Sequence, residues 1–184
     1  LKEADVVACE DTRVTKKLLS HFDIHTQVVT LLKVSALLAQ GKHVALVSDA
    51  GTPGVADPGL EIVSNARDAG ATIETIPGPS ALAAALAVAG LRAHTFTFYG
   101  FLPVKKGRET LFKEIASNEQ ASIFYESPHR VMKTLTSLAA QLPAHRRVGV
   151  FRELTKIYEE HLVGSASEVL SYYTEHKDKV RGEF

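Results

Sequence analysis

The chain has no tryptophan, a single cysteine and no excess of either charge. Because Cys9 has no second cysteine to pair with, an intramolecular disulfide is excluded and a reducing compartment is favoured. Cys9 ends the apolar run Val6-Val7-Ala8-Cys9. That setting is typical of a buried structural thiol rather than of a nucleophile. We therefore expect a cytoplasmic protein.

Several other signals are also missing from the sequence. No run approaches the ~20 apolar residues that span a bilayer, and no cationic stretch leads into an apolar one as in a signal peptide. The eight histidines show neither HxH nor HExxH spacing, so the sequence predicts no metal site. With 21 basic and 21 acidic residues, overall charge gives nucleic-acid binding no support.

The composition and the order of the elements predict an α/β protein. A chain of 184 residues that is 45% hydrophobic can bury one large core or two small ones. Short β-branched runs alternate with helical patterns up to about residue 90, and this order is typical of a parallel sheet. Past residues 92–95 the strands become aromatic. We predict an N-terminal parallel α/β domain at 1–92 and a C-terminal α+β domain with a mixed sheet at 93–184.

Two Gly/Pro-rich loops are candidates for a ligand site. The first, residues 48–59, follows the predicted buried strand Val44–Val47, and the second, residues 77–80, follows a predicted strand at 71–76. Ligands of open α/β sheets lie outside the carboxyl ends of the strands. An ordinary βα turn is the alternative interpretation. Neither loop has the GxGxxG or GxxxxGK[ST] pattern, which weakens NAD and P-loop interpretations.

Charged residues follow several predicted strands, and each has two interpretations. Asp11 is a natural N-cap for a helix at 12–21, so Glu10 and Arg13 are either cleft residues or solvated charges beside a capped helix. Ser127 and Pro128 form a helix start in the same way. The three cations at 105–108 suit either a solvated turn or phosphate contacts with RNA.

The motifs taken together resemble one family along essentially the whole chain. They are E-D-T-R (10–13), S-D-A-G-T-P (48–53), D-P-G (57–59), P-G-P-S-A (77–81), G-F-L-P (100–103), F-Y-E-S-P-H-R (124–130) and R-E-L-T-K (152–156). The chain is similar to the ribosomal RNA small subunit methyltransferase I family, which has the tetrapyrrole-methylase (class III) fold. This resemblance implies S-adenosylmethionine-dependent 2′-O-methylation of a cytidine in 16S rRNA. It also implies two α/β domains with the cofactor in the cleft between them.

The resemblance carries three kinds of site residue over to this sequence. Cofactor binding is expected from Asp49, Gly51, Thr52, Pro53, Gly78, Pro79, Ser80 and Ala81. Proton transfer or stabilisation of a developing alkoxide is expected from Glu10, Arg13, Glu126, His129, Glu153 and Lys156, without a ranking of the base. RNA contacts are expected from Lys105, Lys106, Arg108 and Arg130.

Two alternative functions are kept beside this one. The same fold could methylate a small tetrapyrrole, although a macrocycle needs a broad apolar cleft in place of these cations. A non-catalytic module that binds rRNA or the small ribosomal subunit would show no cofactor affinity, which the two intact Gly/Pro loops disfavour. A two-fold homodimer is expected from the apolar helix at 81–89 and from the resemblance.

Three places in the chain break local rules. Residues 1–4 have the pattern of a helix end with no strand before it, and residues 181–184 that of the first residues of a final strand. At 30–34 a predicted strand meets a predicted helix without any turn residue. We therefore expect a longer protein from which an earlier strand, a mobile loop near 30–34 and a final strand are absent.

Overall fold

The computed structural model describes all residues, 1–184, and they form two compact units, Leu1–Ser80 and Ala81–Phe184. The boundary predicted from the sequence, at residues 92 and 93, lies farther along the chain. The difference concerns the apolar helix Ala81–Val88, which groups with the second unit. No helix combines the length and the apolar character needed to cross a bilayer.

The first unit is a three-stranded parallel sheet with helices. Its elements are β1 (Val6–Cys9), α1 (Thr12–His21), β2 (Gln27–Thr30), α2 (Val34–Ala39), β3 (Val44–Val47) and α3 (Gly59–Asp68). The strand order is β2-β1-β3, so the fully buried β1 is the central strand. Its side chains Val6 and Ala8 pack with Val29 and Val34 in the core of this unit. The continuous apolar run of β1 is therefore explained by burial on both faces.

One expectation for the first unit is wrong. Residues 71–76 are mostly exposed and form no strand, because a strand needs a hydrogen-bonded neighbour and β3 pairs only with β1. At 30–34, where a missing loop was expected, the chain is continuous from β2 to α2. A single 3-10 turn, Leu31–Lys33, joins β2 directly to α2, and the Val34 N–H donates to the Leu31 carbonyl. One tight turn thus replaces the polar residues that such a junction usually contains.

The second unit contains two small sheets covered by helices. Its elements are α4 (Ala81–Val88), β4 (Phe96–Phe101), α5 (Arg108–Ser117), β5 (Ala121–Tyr125), α6 (Pro128–Gln141), β6 (Arg147–Arg152), β7 (Glu160–Ser165) and α7 (Ala166–Glu175). Strands β4 and β5 are parallel, and β6 and β7 are antiparallel. The predicted mixed sheet is thus two separate pairs. A core around Phe112, Leu135 and Tyr173 lies between strands and helices.

Capping explains where three helices begin. The Asp11 side chain accepts from the Arg13 N–H at α1, and Ser127 accepts from the His129 N–H at α6. Ser165 forms a complete capping box with Glu168 at α7. These caps satisfy backbone donors that the first helical turn leaves without a partner. The caps at Asp11 and Ser127 were predicted from the sequence and are confirmed.

The predicted strand at 181–184 does not form. The Phe184 carbonyl accepts from the Glu126 N–H at 3.1 Å, and the Glu183 carbonyl accepts from the Glu153 N–H at 3.0 Å. Glu126 and Glu153 thus each donate one backbone hydrogen bond to this segment, and no ladder of strand pairing forms. These bonds join residues 183–184 to the ends of β5 and β6.

Candidate functional site

The loop after β3 is held in shape by one carboxylate. Asp57 Oδ1 accepts from the backbone N–H groups of Gly54 at 2.7 Å and Gly59 at 2.8 Å. A Cβ on Gly59 would lie 2.8 Å from Asp57 Oδ1 and 2.9 Å from the Gly54 nitrogen, which is closer than real contacts allow. The loop therefore requires glycine at position 59. The sequence marked 57–59 as a turn but did not identify Asp57 as its organising residue.

The two Gly/Pro loops meet within the first unit. The Thr52 hydroxyl donates to the Pro79 carbonyl at 2.9 Å, and the built Cβ of Gly51 would be 3.8 Å from the same carbonyl. A Cβ on Gly78 would find only Thr52 Oγ1, at 4.0 Å, so the backbone there is open to a ligand. The two loops, which we expected to lie together, are in direct contact.

Acidic side chains surround the carboxyl ends of β1 and β3. The Asp11 N–H donates to Asp49 Oδ1 at 3.4 Å, which brings the ends of these neighbouring strands together. Burial raises the pKa of Glu10, and the negative charges of Asp57 and Asp49 raise it further. This edge of the sheet therefore favours a cation, since a positive ligand would relieve the repulsion among these carboxylates.

Arg13 belongs to this edge but already has a partner. Its guanidinium donates to both Asp11 carboxylate oxygens, at 2.7 Å for the shorter ion-pair contact, while 86% of its side chain stays exposed. Hydrogen bonds from the Arg13 side chain and backbone lower the pKa of Asp11 to about 2. Arg13 thus neutralises the charge of Asp11. It does not neutralise the charges of Glu10, Asp49 and Asp57.

An open cavity of about 590 Å³ adjoins the same edge. It lies beyond the carboxyl ends of β1 and β2 and is lined by Cys9, Glu10, Thr30, Leu31, Leu32, Ser35, Pro58, Glu61, Ile62 and Asn65. Glu10 therefore borders both this cavity and the acidic edge. Leu32, on the 3-10 turn, is 95% exposed at the rim.

The structure gives Glu126 a role different from the predicted one. Only 4% of Glu126 is exposed, and its carboxylate accepts from Arg108 Nη2 at 2.9 Å and from Thr134 Oγ1 at 2.6 Å. Arg130 Nη2 lies 2.9 Å from its other oxygen, which also accepts from the Ser127 N–H. Burial alone would raise the pKa of Glu126, but these partners together lower it. A carboxylate enclosed in this way is a poor proton acceptor, so its catalytic assignment is corrected.

Arg108 and Arg130, which were predicted to contact RNA, also bind groups within the protein. Arg108 is 4% exposed and donates to the Pro103 carbonyl at 2.9 Å, while Arg130 donates to the Leu102 carbonyl at 3.2 Å. Both guanidinium groups thus hold the backbone that follows β4. Enclosure of Arg108 leaves it no access to an RNA phosphate. Lys105 and Lys106, by contrast, are exposed.

Thr134 is the member of this network that sequence reasoning missed. Residues 126, 130 and 134 are spaced by four, which places them along one side of α6 and its first turn. That spacing between a carboxylate, a cation and a hydroxyl was the available signal. No comparable spacing indicated Arg108, which reaches the Glu126 carboxylate from α5.

The predicted pair Glu153 and Lys156 lies in a strained loop after β6. Lys156 Nζ is 3.0 Å from Glu153 Oε1 and 2.9 Å from Glu183 Oε2. The Glu183 N–H and Lys156 lower the pKa of Glu153, and the two glutamates raise the pKa of Lys156. Glu153 and Thr155 both have φ in the left-handed region, at 52° and 65°. Strain of this kind is typical of functional loops.

His129 is the last of the predicted catalytic residues. It follows Pro128 in the first turn of α6 and is exposed. Its backbone N–H satisfies the Ser127 cap at 3.2 Å. Ala81, the last of the predicted cofactor residues, is the exposed first residue of α4. No group of three or more His, Cys, Asp or Glu side chains in the chain is arranged to hold a metal ion.

Comparison with solved structures identifies the fold as that of a class of methyltransferases. Cobalt precorrin-4 methyltransferase, a cobalamin biosynthetic enzyme, matches with a TM-score of 0.65 at 17% identity, over 100% of this chain and 83% of that one. The methyltransferase CobJ matches with a TM-score of 0.64 at 20% identity, over 90% and 77% of the two chains. The predicted α/β, tetrapyrrole-methylase-like fold class is confirmed.

Sequence comparison gives the family. The family model for tetrapyrrole (corrin/porphyrin) methylases matches residues 1–170. Relatives named ribosomal RNA small subunit methyltransferase I are 42% identical in Synechocystis, 41% in Bacillus subtilis and 40% in Vibrio cholerae, each over 100% of this chain. The chain belongs to the tetrapyrrole methylase family and, within it, groups with these relatives, so the resemblance is confirmed.

The chain spans 69%, 65% and 67% of the lengths of these three relatives, which is about two thirds. The alignments to the Synechocystis and Bacillus subtilis proteins cover 194 positions, whereas the chain has 184 residues. These relatives therefore carry residues within the matched region that this chain does not have.

Methyltransferases of this family use S-adenosylmethionine, and the loops of the first unit fit such a ligand. Gly78 leaves open backbone, and the joined loops present peptide groups beside the exposed carboxylate of Asp49. The acidic edge suits a sulfonium cation. When bound, this cofactor supplies an activated methyl group, and the protein's task is to hold and orient donor and acceptor.

Proposed function

We propose that this chain is the core of an S-adenosylmethionine-dependent methyltransferase that methylates a cytidine ribose 2′-oxygen in 16S rRNA. The observation that carries the proposal is the identity of 40–42% over the full chain with relatives named for small-subunit ribosomal RNA. The two solved methyltransferases, one of them a cobalamin biosynthetic enzyme, share 17–20% identity with this chain, which supports the fold alone. A small tetrapyrrole substrate is therefore the weaker candidate.

In this proposal, the Gly/Pro loops of the first unit bind the cofactor. Residues 49–53 and 78–80 supply backbone groups at the joined loops, and Asp49 faces the positive charge of the donor. Asp57 keeps the loop in the conformation in which its glycines allow close approach of a ligand. Ala81 begins the helix that follows these loops.

The candidates for the proton acceptor are now distinguishable. A ribose hydroxyl is a weak acid, and an effective general base has a pKa near the working pH. Glu10 is the candidate that fits best, because its pKa is raised and its carboxylate is exposed at the acidic edge. Lys156 stays protonated beside two glutamates and is the candidate for stabilising a developing alkoxide. His129 remains an alternative proton acceptor.

RNA contacts are assigned to Lys105 and Lys106, since both are exposed cations in one loop. Phosphate contacts of this kind hold the substrate without reading its sequence. A homodimer is also proposed, because α4 is apolar in every residue and none of its side chains is fully buried. A cytoplasmic location follows from an rRNA substrate.

The test combines methyl transfer with the salt dependence of binding. We expect labelled methyl groups from S-adenosylmethionine to appear in naked 16S rRNA or in assembled 30S subunits. Changing Lys105 and Lys106 together to alanine should lower the log–log salt slope by about 1.4–1.8, at ~0.7–0.9 per phosphate contact. Affinity for S-adenosylhomocysteine, measured by calorimetry, should not change.

A double lysine variant on the helices of the same unit is the matched control. Lys113 and Lys133 are exposed on α5 and α6, and changing both to alanine should leave the slope unaltered. Equal slopes for the native chain and the Lys105/Lys106 variant would leave this loop a solvated turn. Cofactor binding without transfer to either RNA form would contradict the proposed substrate.

A further inference from the structure

Phe101 is a large aromatic side chain that the core of the second unit leaves outside. It is the last residue of β4 and 57% exposed, whereas the next residue, Leu102, is 2% exposed. Its ring centroid lies 5.4 Å from that of Tyr125, which in turn packs edge-on against Phe98 at 5.2 Å. The Phe101 ring is thus supported from within the protein and open to solvent elsewhere.

A bulge in β4 sets the direction of Phe101. The pairing of β4 with β5 shifts between Phe98 and Phe101, and Gly100 between them has φ of 60°. Glycine adopts this left-handed conformation without the cost that a side chain would add. Bulges of this kind change the direction in which a side chain points and are frequent beside active sites. Residue 101 consequently pairs with Tyr125 at the carboxyl end of β5.

The backbone after Phe101 is fixed by the buried ion network. Arg130 binds the Leu102 carbonyl and Arg108 binds the Pro103 carbonyl, and both guanidinium groups are anchored on Glu126. A loop ordered in this way loses little conformational freedom when a ligand binds. The network therefore acts as a positioning device for residues 101–106.

Charge complementarity indicates what binds there. Residues 101–108 contain Lys105, Lys106 and Arg108 but no acidic residue, and the two lysines are exposed. An open aromatic ring followed by cations is the combination with which proteins bind single-stranded RNA, the ring stacking on a base and the cations contacting phosphates. An apolar protein partner would gain nothing from the two lysines.

We propose that Phe101 stacks on an unpaired nucleobase of the RNA substrate, with Lys105 and Lys106 on phosphates of the same strand. The inference rests on the proposed function and adds to it a residue that contacts a base. Stacking is sequence-tolerant, so Phe101 holds the strand in place and does not select the target nucleotide.

The test measures the binding of single-stranded 16S rRNA fragments that carry 2-aminopurine at successive positions, since stacking on an aromatic ring quenches this base. Phe101→Leu keeps an apolar side chain but loses the ring, and it should weaken binding about tenfold or more. Phe101→Trp should bind at least as tightly as the native chain. The position-specific quench should persist with Trp and vanish with Leu.

Two controls separate stacking from other effects. Phe96, at the start of the same strand, is 40% exposed, and Phe96→Leu should leave affinity and quench unchanged. Phe101→Leu should keep the native salt slope, because the ring neutralises no phosphate, whereas the Lys105/Lys106 variant lowers it. Circular dichroism and S-adenosylhomocysteine affinity report whether each variant folds.

The outcomes distinguish this inference from the proposed function. If the native chain binds and methylates RNA while Phe101→Leu matches it in affinity and quench, the stacking role is overturned and the proposed function stands. If the native chain binds S-adenosylhomocysteine but none of the RNA fragments and no rRNA, both are overturned.

Discussion

Glu10 and Glu126 occupy the same position in the two units. Each is the first residue after a parallel strand, β1 in one case and β5 in the other, and each precedes the cap residue of a helix. Partial desolvation raises the pKa of Glu10, and the nearby Asp57 and Asp49 carboxylates raise it further. Glu126 is enclosed by two guanidinium groups, a hydroxyl and a backbone N–H, and its pKa is lowered.

The difference shows that position after a strand does not assign a chemical role. What decides the role is the set of groups that the rest of the fold brings to the carboxylate. Glu10 has the environment of a proton acceptor or of a partner for a cation, whereas Glu126 has that of a structural anchor. The predictions below test this contrast, beginning with the largest effect.

Stability should distinguish the two glutamates most strongly. Glu126→Gln leaves the buried Arg108 charge without its carboxylate, so we expect a loss of about 3–5 kcal/mol in the free energy of unfolding. Glu10→Gln should change it little or raise it slightly, because the ionised form of Glu10 is disfavoured in the folded state. Urea unfolding at neutral pH measures both.

The stability that Glu126 contributes should decrease as the pH falls. Because its folded pKa is lowered, its contribution to stability is complete above the unfolded pKa of ~4.3 and is lost as the pH falls below that value. Below about pH 5, where carboxylates titrate, the free energy of unfolding should therefore fall more steeply for the native chain than for the Glu126→Gln variant. Equal unfolding midpoints for the two glutamine variants at neutral pH would remove the contrast.

The acidic edge of the first unit should bind the charged methyl donor more tightly than the uncharged product. S-adenosylmethionine carries a sulfonium charge that S-adenosylhomocysteine does not have. Asp49→Asn should therefore weaken binding of the methyl donor roughly fivefold more than binding of the product, as expected for one charge pair near a surface. Asp68→Asn, at the end of α3, is the charge-matched control. A parallel loss for both ligands, measured by competition calorimetry, would mean that Asp49 does not recognise the charge.

The smallest effect concerns the exposed Asp11–Arg13 pair. Carbon-detected NMR should find the Asp11 carboxyl titrating near a pKa of about 2, and Arg13→Ala should return it toward 3.8, the ordinary value. Since the folded pKa is lowered, whatever stability the pair adds is present above the unfolded pKa and disappears as the pH falls toward 2. An unchanged Asp11 pKa in the Arg13 variant would assign the shift to the helix N-terminus instead.

Much of the local structure could be predicted from the sequence because its signals are short-range. The caps at Asp11, Ser127 and Ser165 use side chains within three residues of the donors that they satisfy. Gly70 follows the end of α3 with φ of 76°, a left-handed conformation that favours glycine after a helix. The meeting of the two Gly/Pro loops was also predicted, but the strand expected before the second loop does not form.

What the sequence did not reveal depends on long-range contacts. Arg108 stands beside two exposed lysines in a run of cations, and only the packing of α5 against α6 encloses it with Glu126. Residues 71–76 have a strand-like composition, but strand formation depends on a neighbour that composition cannot supply.

The enclosure of Glu126 constrains how the sequence of this protein can change. Arg108 on α5 and Arg130 and Thr134 on α6 share one carboxylate, so a substitution at any of these positions alters the cost of substitution at the others. Replacing Glu126 alone leaves the buried Arg108 charge unpaired, whereas replacing the set by apolar residues of similar volume can preserve stability. Such a replacement would also release the carbonyls of Leu102 and Pro103. Substitutions at these positions are therefore tolerated only in combination. Their effects extend to the loop that follows Phe101.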